Sequence, residues 1–256
     1  MQAKTRKDRK PEKRKETLPE SIGSIASVFV CGLFIITFVV QAFEIPSGSM
    51  EDTLLIGDHV FVDRLTPAAK AAYLGFLLPY RNIHRGEVIV FLHPTEPGMY
   101  VVKRIIGTPG DRIHLEQGRL FINGQPQNEP YLNPDRRFYN AYRDDFPKFP
   151  AADVPNVTAE WPMILRSNIQ GADLVVPKDS YFGMGDNRAE SLDSRYWGFI
   201  PRENIVGRPL FIYWSFETPR DQYQRTSMAD RAAFIVHIIT HFLGETRWNR
   251  MFHLVR

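Results

Sequence analysis

A long uncharged segment near the start of the chain constrains its fold more than any other feature. No charged residue occurs between Ile22 and Phe43, and the part from Val28 to Val40 is strongly apolar. About 20 apolar residues with a rise of roughly 1.5 Å each cross a hydrocarbon core of roughly 30 Å. The sequence therefore predicts one N-terminal transmembrane helix over residues 22–43.

The residues before this segment predict its orientation. Residues 1–21 contain eight lysines and arginines against four acidic residues, whereas the whole chain has a net charge of +3. Basic residues flank the cytoplasmic end of membrane helices, so we expect a cytoplasmic tail and place everything after Glu44 on the other side. Because the rest of the chain is close to neutral, the sequence gives no support to nucleic-acid binding.

A cleaved secretory signal is the alternative interpretation of the apolar segment. Residues 40–42, Val-Gln-Ala, resemble a small-x-small cleavage site. The apolar run is longer than the hydrophobic region of a secretory signal, which usually has about 7–15 residues. The turn at residues 46–49 also follows too closely to leave a processing linker. A retained anchor is therefore favoured, and it would hold the following residues near the bilayer surface.

Composition and periodicity predict a mainly β fold for the remainder. Nineteen prolines and seventeen glycines are scattered along the chain, which is typical of a turn-rich β protein. We expect strands in these segments: two short ones around Gly57-Asp58 within 52–63, one each at 86–92 and 99–106, and a hairpin at 112–123 with Gln117-Gly118 at its turn. Residues 124–177 are less regular and predict a β insertion, and strand and turn patterns return from 175 to 214.

Two other segments and the single cysteine bear on function. The apolar patch at 73–80 predicts either a small buried hairpin or an exposed surface that dips into lipid. Residues 229–243 are apolar on a helical period but too few to span a bilayer, so a docking or interfacial helix is expected. His237 and His241 on it have the spacing of a metal pair, but they lack the glutamate of an HExxH motif and are interpreted as structural. Cys31 is the only cysteine, which excludes an intrachain disulfide and a CxxC metal site.

Ser49 lies in an unusual setting just past the apolar segment. Pro46 stiffens the approach to it, and Gly48 allows another backbone to come close. Ser47 and Ser49 flank this glycine. One hydroxyl can attack a carbonyl carbon, while the other can donate to a developing oxyanion beside a backbone N–H. Turns use serine freely, so an ordinary turn serine is the competing interpretation.

Lys103 is the best candidate for a base that activates such a hydroxyl. No histidine lies in a recognisable Ser/His/Asp signature. On the predicted strand Lys103 shares a face with Val101 and Ile105, both apolar. A lysine with a pKa of about 10.4 is neutral in only about one of 2,500 molecules at pH 7, but burial lowers the pKa by as much as 3–5 units. An edge-strand lysine that extends to water is the alternative.

A loop over residues 183–198 supplies a third set of polar residues. It contains glycines, two serines, several acids and two arginines before an aromatic residue. Ser191 is predicted to accept a hydrogen bond that aims the amine of Lys103. Asp193 and Arg195 could pair across the turn and fix it. An ordinary surface loop is the competing interpretation.

The ordered motifs resemble those of bacterial type I signal peptidases. They span the chain from the anchor to about residue 214, in the order found in that family. The matching segments are Pro46-Ser47-Gly48-Ser49-Met50, Gly57-Asp58, Gly86-Glu87-Val88-Ile89-Val90-Phe91, Lys103-Arg104-Ile105-Ile106-Gly107-Thr108-Pro109-Gly110-Asp111, and Gly185-Asp186-Asn187-Arg188 followed by Ser191 and Asp193 to Gly198. Each segment alone is weakly specific, but five in sequence behind an apolar anchor are highly specific.

This resemblance implies a Ser–Lys dyad endopeptidase that removes signal peptides from exported preproteins. Ser49 would be the nucleophile and Lys103 the general base, with an oxyanion hole from the Ser49 N–H and the Ser47 hydroxyl. Ser191 would orient Lys103. The remaining site residues expected from the motifs are Asp186, Asp193 and Arg195 as structural support and Met50 next to bound substrate. No metal or organic cofactor is implied.

The resemblance also implies an architecture and a location. The fold would be an antiparallel β catalytic core with a β insertion domain, and substrate would bind as an added strand next to pockets for small side chains. The expected divisions are a tail at 1–21, an anchor at 22–43, a core at 44–111 and 178–218, an insertion at 112–177, and a helical, basic extension at 219–256. The protein would be a single-pass protein of the bacterial cytoplasmic membrane, in contact with lipid, with its catalytic part on the periplasmic side.

Two positions depart from the family pattern, and two other functions remain open. Asp52 stands where many members have a proline, and Ala189-Glu190 replaces a common Asp-Asn pair. Both affect the geometry of loops rather than the dyad. The alternatives are a membrane-tethered β module that binds exported chains without cleaving them, and a dedicated peptidase of the same type with a single substrate.

Overall fold

The computed structural model describes residues 17–64, 82–132, 138–148 and 154–256. Most of the basic tail and the predicted apolar patch at 73–80 lie outside the described residues. In the described ranges the strands are β1 (Val40–Glu44), β2 (Asp58–Asp63), β3 (Val88–Leu92), β4 (Tyr100–Gly107), β5 (Arg112–Glu116), β6 (Arg119–Ile122), β7 (Gln125–Pro126), β8 (Ile169–Gln170), β9 (Asp173–Val175), β10 (Ser180–Met184), β11 (Ile200–Pro201) and β12 (Ile205–Ser215). The α-helices are α1 (Leu18–Phe34), α2 (Ala141–Asp144), α3 (Trp161–Asn168), α4 (Ser194–Trp197) and α5 (Met228–Glu245).

Helix α1 begins at a well-defined N-terminal cap. The backbone N–H of Thr17 donates to the carboxylate of Glu20 at 2.8 Å, and a proline lies in the first turn, where its missing N–H costs nothing. A π-helical stretch, Ile35–Val39, continues α1 before the chain enters β1. The predicted 22–43 helix thus ends early, because Val40 to Phe43 pair with β2 instead. No helix in the described part of the chain combines the length and apolar character needed to cross a membrane.

Seven strands form the sheet that carries the site, in the order β1-β2-β12-β3-β4-β10-β11. All its pairings are antiparallel, which confirms the predicted mainly antiparallel β fold. Strand β4 lies inside the sheet, between β3 and β10, and Ile89 faces Lys103 across the β3–β4 pair. An interior strand rich in β-branched residues becomes buried on both faces, so polar side chains on β4 lose access to water.

The prediction of two strands in residues 52–63 is wrong for its first half. Residues 51–57 form turns, and only β2 is a strand. Gly57 has φ of +83°, and a Cβ there would collide with the carbonyl oxygen of Phe216. The chain that leaves β12 approaches this turn so closely that the turn requires a glycine.

The second sheet lies within the predicted insertion. Its order is β7-β6-β5-β9-β8, and the hairpin of β5 and β6 turns at Gln117-Gly118 as predicted. Helices α2 and α3 were not anticipated from the irregular sequence of this region. Trp161 on α3 and Phe146 bury their rings against Phe182 of β10, so one hydrophobic cluster joins the insertion to the first sheet.

The segment after β12 folds back onto the first sheet. The predicted apolar helix is α5, and the chain beyond it returns so that Phe211 and Leu254 form an isolated bridge. Val255 enters the core cluster with the residues of β2. The guanidinium of Arg250 donates to Asp58, whose carboxylate is fully buried. This ion pair fastens the basic extension to the start of β2.

Candidate active site

A short 3₁₀ helix, Gly48–Met50, positions Ser49. The first N–H groups of a helix have no acceptor within it, so the N–H groups at the start of this turn are suited to binding an oxyanion. The carbonyl oxygens of Gly48 and Ser49 accept hydrogen bonds from the side chain and backbone of Asn187, both at 3.1 Å. These two bonds attach the serine turn to the 183–198 loop, which is 139 residues away in sequence at the Gly48–Asn187 contact.

Lys103 projects from β4 toward this turn. Its Nζ lies 2.6 Å from the Ser49 Oγ, and both residues are buried, with exposures of 3% and 9%. Ile105 and Val101, on the same face of β4, belong to a buried apolar cluster. The sequence-based expectation that these two side chains surround Lys103 with apolar groups agrees with this packing. The structure therefore brings together the predicted hydroxyl and amine.

Burial dominates the electrostatics of Lys103. Loss of solvation lowers the pKa of Lys103 to about 8, with a smaller lowering by the Arg195 guanidinium and opposing effects of Asp193 and Asp186. With that pKa, about one molecule in ten carries a neutral amine at pH 7. The ammonium donates to the Ser49 hydroxyl, and after it loses a proton the hydroxyl can donate to the amine lone pair instead.

The ion pair of Asp193 and Arg195 forms as predicted and is fully buried. Arg195 donates to both carboxylate oxygens of Asp193, at 2.8 and 2.7 Å. Asp193 also accepts from the Gly185 N–H at 3.1 Å, and the Arg195 carbonyl accepts from the Tyr142 hydroxyl and the Trp161 indole. The guanidinium holds the pKa of Asp193 below its usual range, although burial alone would raise it. Asp193 is the carboxylate with the largest charge effect on Lys103, and its charge is already balanced by Arg195.

Ser191 lies beside the site without the predicted hydrogen bond. Its Oγ is buried and has no hydrogen-bond partner among the described residues, so the expected bond to Lys103 is not formed. A Cβ at Gly185 would collide with both the Ser191 Oγ and the Ser49 carbonyl oxygen. Glycine at 185 therefore lets the Ser191 hydroxyl pack next to the serine turn. An open cavity of about 480 Å³ is lined by Ser191 and its neighbours Glu190 and Leu192, and not by the Ser49–Lys103 pair.

Arg104 is a buried cation that was not predicted as a site residue from the sequence. It follows Lys103 on β4, points to the opposite face and donates to both oxygens of Asp186, at 2.8 and 2.6 Å. The guanidinium also stacks on the Tyr131 ring at 4.0 Å. Asp186 was predicted to support the site, and its partner Arg104 is 82 residues away in sequence. The adjacent charged residues in the Lys103-Arg104 motif were the available signal.

Ser47 and Met50 take different positions around the serine. The Ser47 hydroxyl lies 3.5 Å from the Ser49 hydroxyl, at the entrance of the turn. Met50, predicted to lie next to substrate, is 1% exposed and packs into the core cluster beneath the turn. Its side chain therefore supports the turn from below. A buried hydroxyl in contact with an amine of lowered pKa, in the first turn of a 3₁₀ helix, is an arrangement suited to acyl transfer.

The family model and the relatives identified by sequence agree on one family. The family model described as "Signal peptidase, peptidase S26" matches residues 18–214. The chain is similar to the signal peptidase I of Buchnera aphidicola subsp. Acyrthosiphon pisum, with 30% identity over 82% of this chain and 80% of that protein. It is 32% identical to the signal peptidase I of Aquifex aeolicus over 75% of this chain and 82% of the relative. A crystal structure of a signal peptidase I from Enterococcus faecalis V583 aligns with a TM-score of 0.35 and 28% identity, covering 50% of this chain and 97% of that one.

Proposed function

Because the chain belongs to the signal peptidase family, peptidase S26, it is a peptidase, and we propose that it cleaves signal peptides with Ser49 as nucleophile and Lys103 as general base. The observation that carries this proposal is the 2.6 Å separation of the Lys103 Nζ and the Ser49 Oγ in a buried setting. The non-catalytic binding module considered from the sequence is disfavoured by the family membership.

The reaction proceeds in two steps. Neutral Lys103 accepts the proton of the Ser49 hydroxyl while Oγ attacks the scissile carbonyl carbon, and the resulting ammonium gives this proton to the departing amine. The C–N bond breaks and an ester to Ser49 remains. Water then attacks the ester with Lys103 again acting as base, which releases the cleaved signal peptide and regenerates the hydroxyl.

The oxyanion of each tetrahedral intermediate is bound by the Ser49 N–H and the Ser47 hydroxyl. The position of Ser49 in the first turn of the 3₁₀ helix supports this role for its N–H. The Ser47 hydroxyl is close enough to reach an oxygen attached to the carbon that the Ser49 Oγ attacks. Ser191 orients Lys103 by accepting a hydrogen bond from its amine during the reaction, and its unpartnered buried Oγ supports that assignment.

Exported preproteins are the substrates, cut after sites with small residues at the first and third positions before the scissile bond. The substrate binds as an extended strand, since main-chain pairing lets one enzyme accept many sequences. Asp186, Asp193 and Arg195 act behind the site, where their buried ion pairs fix the loop that faces the serine turn. A dedicated peptidase with one substrate would have the same site, so only substrate range separates these two functions.

The protein is anchored in the bacterial cytoplasmic membrane, with its N-terminus in the cytoplasm and its catalytic part on the periplasmic side. Support comes from α1, where Val28 and Phe29 are 73% and 68% exposed, as expected for side chains that contact lipid. A cysteine introduced at Asp221 should react in intact spheroplasts with a membrane-impermeant maleimide, and one at Lys7 should react only after lysis. The reverse labelling would refute the topology.

Cleavage of several preproteins with Ala-x-Ala sites tests the function. The full chain in detergent should cleave most of them, whereas Ser49→Ala and Lys103→Ala should lose cleavage while keeping their melting temperature. Ser47→Ala should retain some cleavage, because the Ser49 N–H remains. Turnover by either dyad variant would defeat the assignment, and cleavage of a single preprotein would favour the dedicated peptidase.

A further inference from the structure

Helix α5 carries three potential metal ligands on one side. His237, His241 and Glu245 are spaced by four residues, so they follow one another along the same face of the helix. One ligand atom from each lies within 4.8 Å of the other two. In an HExxH motif the glutamate lies between the two histidines. In this chain the glutamate lies one turn beyond the second histidine, a position that an HExxH pattern does not cover.

The hydrogen bonds of His241 leave one ring nitrogen available. Its Nδ1 is 3.1 Å from the His237 carbonyl oxygen, which can only accept, so Nδ1 carries the hydrogen. The Thr240 hydroxyl is also 2.9 Å from this Nδ1, and it can accept from Nδ1 because its own hydrogen is donated to the Val236 carbonyl. With Nδ1 protonated, the Nε2 of His241 has a free lone pair, the form in which histidine binds a metal ion.

The other two ligands already meet. The His237 Nε2 donates to a carboxylate oxygen of Glu245 at 2.8 Å, and the His237 and His241 rings stack with centroids 4.3 Å apart. A metal ion on this Nε2 would take the place of its hydrogen, which moves to the Nδ1 of the same ring. Zinc binds nitrogen at about 2.0 Å and oxygen at about 2.1 Å, so a nitrogen and an oxygen on one tetrahedral ion are roughly 3.3 Å apart. The pair needs to open by a few tenths of an ångström. The imidazole of His241 is exposed and needs to approach by rotation, in which its Nδ1–H exchanges the contacts with the His237 carbonyl and Thr240 for water.

We propose that His237, His241 and Glu245 form a binding site for a divalent transition-metal ion such as Zn²⁺, with water completing the coordination. Two imidazoles and one carboxylate suit zinc better than Mg²⁺ or Ca²⁺, which prefer oxygen ligands. The ion would connect the last two turns of α5. Because Thr246 pairs with Phe216 next to β12, this end of the helix is the part joined to the sheet. The site is separate from the Ser49–Lys103 pair and would stabilise α5 rather than take part in cleavage.

Metal binding by the full chain in detergent tests the site directly. In a titration against a chromophoric chelator, the chain should bind one Zn²⁺, and Mg²⁺ should not compete for the site. The Zn²⁺ affinity should be at least about tenfold weaker in Glu245→Gln and in His241→Gln. His84→Gln is the matched control, since His84 lies beside Glu87 on an exposed part of the chain without a second histidine, and it should bind Zn²⁺ like the wild type.

A second measurement reports on the helix itself. Zn²⁺ should slow backbone hydrogen exchange over residues 237–246 and raise the melting temperature, and EDTA should reverse both effects. Unchanged affinity in Glu245→Gln would reduce the site to a histidine pair and overturn the three-ligand proposal. Equal Zn²⁺ binding by the wild type and His241→Gln, or no exchange protection in α5, would also overturn it. Cleavage activity plays no part in this test, so its outcome is independent of the proposed function.

Discussion

Strand β4 places two cations next to each other, on opposite faces, in very different surroundings. Lys103 and Arg104 are equally buried, each with 3% exposure. Arg104 binds both oxygens of Asp186. Asp193, the carboxylate with the largest charge effect on Lys103, is bound by Arg195 instead. Burial is thus the same on both faces, and the two cations differ in whether a carboxylate is bound to them.

The two side chains also differ in what burial can do to them. An ammonium can lose its proton when desolvated, and the pKa of Lys103 falls to about 8. A guanidinium stays charged, so it must be paired when buried, and a planar carboxylate is its best partner. The sequence Lys-Arg therefore separates a reactive group from a structural one at adjacent positions.

Exchanging the chemistry on the two faces should give the largest effect. In Lys103→Arg the side chain stays charged, so Ser49 loses its base and cleavage should fall by at least about 10³-fold at every pH up to 10. Arg104→Lys keeps a cation beside Asp186 and should retain cleavage within about tenfold. Initial rates on a preprotein between pH 6 and 10 measure both. A Lys103→Arg variant that recovers activity at high pH would contradict the role of the neutral amine.

Removing the structural cation should affect stability rather than chemistry. Arg104→Met leaves the buried Asp186 carboxylate without its main partner, and breaking a buried pair from one side costs about 3–5 kcal/mol. Urea unfolding followed by tryptophan fluorescence measures this loss. In the double variant Arg104→Met, Asp186→Leu the loss should be much smaller, since no unpaired charge remains. Equal destabilisation in the single and double variants would show that packing, not charge, is responsible.

Freeing the carboxylate near Lys103 should shift the pH dependence of cleavage. In Arg195→Met, Asp193 can interact with the Lys103 ammonium, which raises the lysine pKa above about 8 and lowers the neutral fraction at pH 7. A one-unit rise reduces the rate at pH 7 about tenfold, with recovery as pH increases through the new pKa. The pH profile of kcat/KM measures the midpoint.

Two further variants keep this prediction testable if Arg195→Met folds poorly. Asp193→Asn removes the charge that raises the pKa of Lys103, so its midpoint should move below that of the wild type. The double variant Asp193→Asn, Arg195→Met has neither charge and should fold more readily. A lower rate with an unchanged midpoint in all three variants would mean that Asp193 and Arg195 only hold the loop.

The sequence predicted the parts of the site that depend on short motifs. Ser49, Lys103 and the Asp193–Arg195 pair are each recognisable within a few residues, because a turn, a strand and a two-residue spacing are local features. The partner of Arg104 could not be predicted in this way, since Asp186 is 82 residues away and the two meet only after β4 and β10 pair. The turn before β2 was misjudged for a related reason: the close approach of β12 at Gly57 depends on a distant strand.

Arg220 provides the opposite extreme to the buried pairs and should give the smallest effect. It lies on the segment after the part matched by the family and bridges Glu51 behind the serine turn and Glu190 next to Ser191, at 3.2 and 3.0 Å. Its side chain is 64% exposed, and exposed ion pairs contribute only about 0–1 kcal/mol. Arg220→Gln should therefore lower kcat/KM less than about fivefold, and 1 M salt should remove the difference from the wild type.

Arg225→Gln, which breaks a similarly exposed pair with Asp221 away from both loops, should leave kcat/KM unchanged. A larger loss of kcat/KM in Arg220→Gln alone, unchanged by salt, would contradict this expectation. It would show that an exposed bridge can position the site as firmly as a buried one, because solvent screening would then not weaken the contacts of Arg220 with the two glutamates.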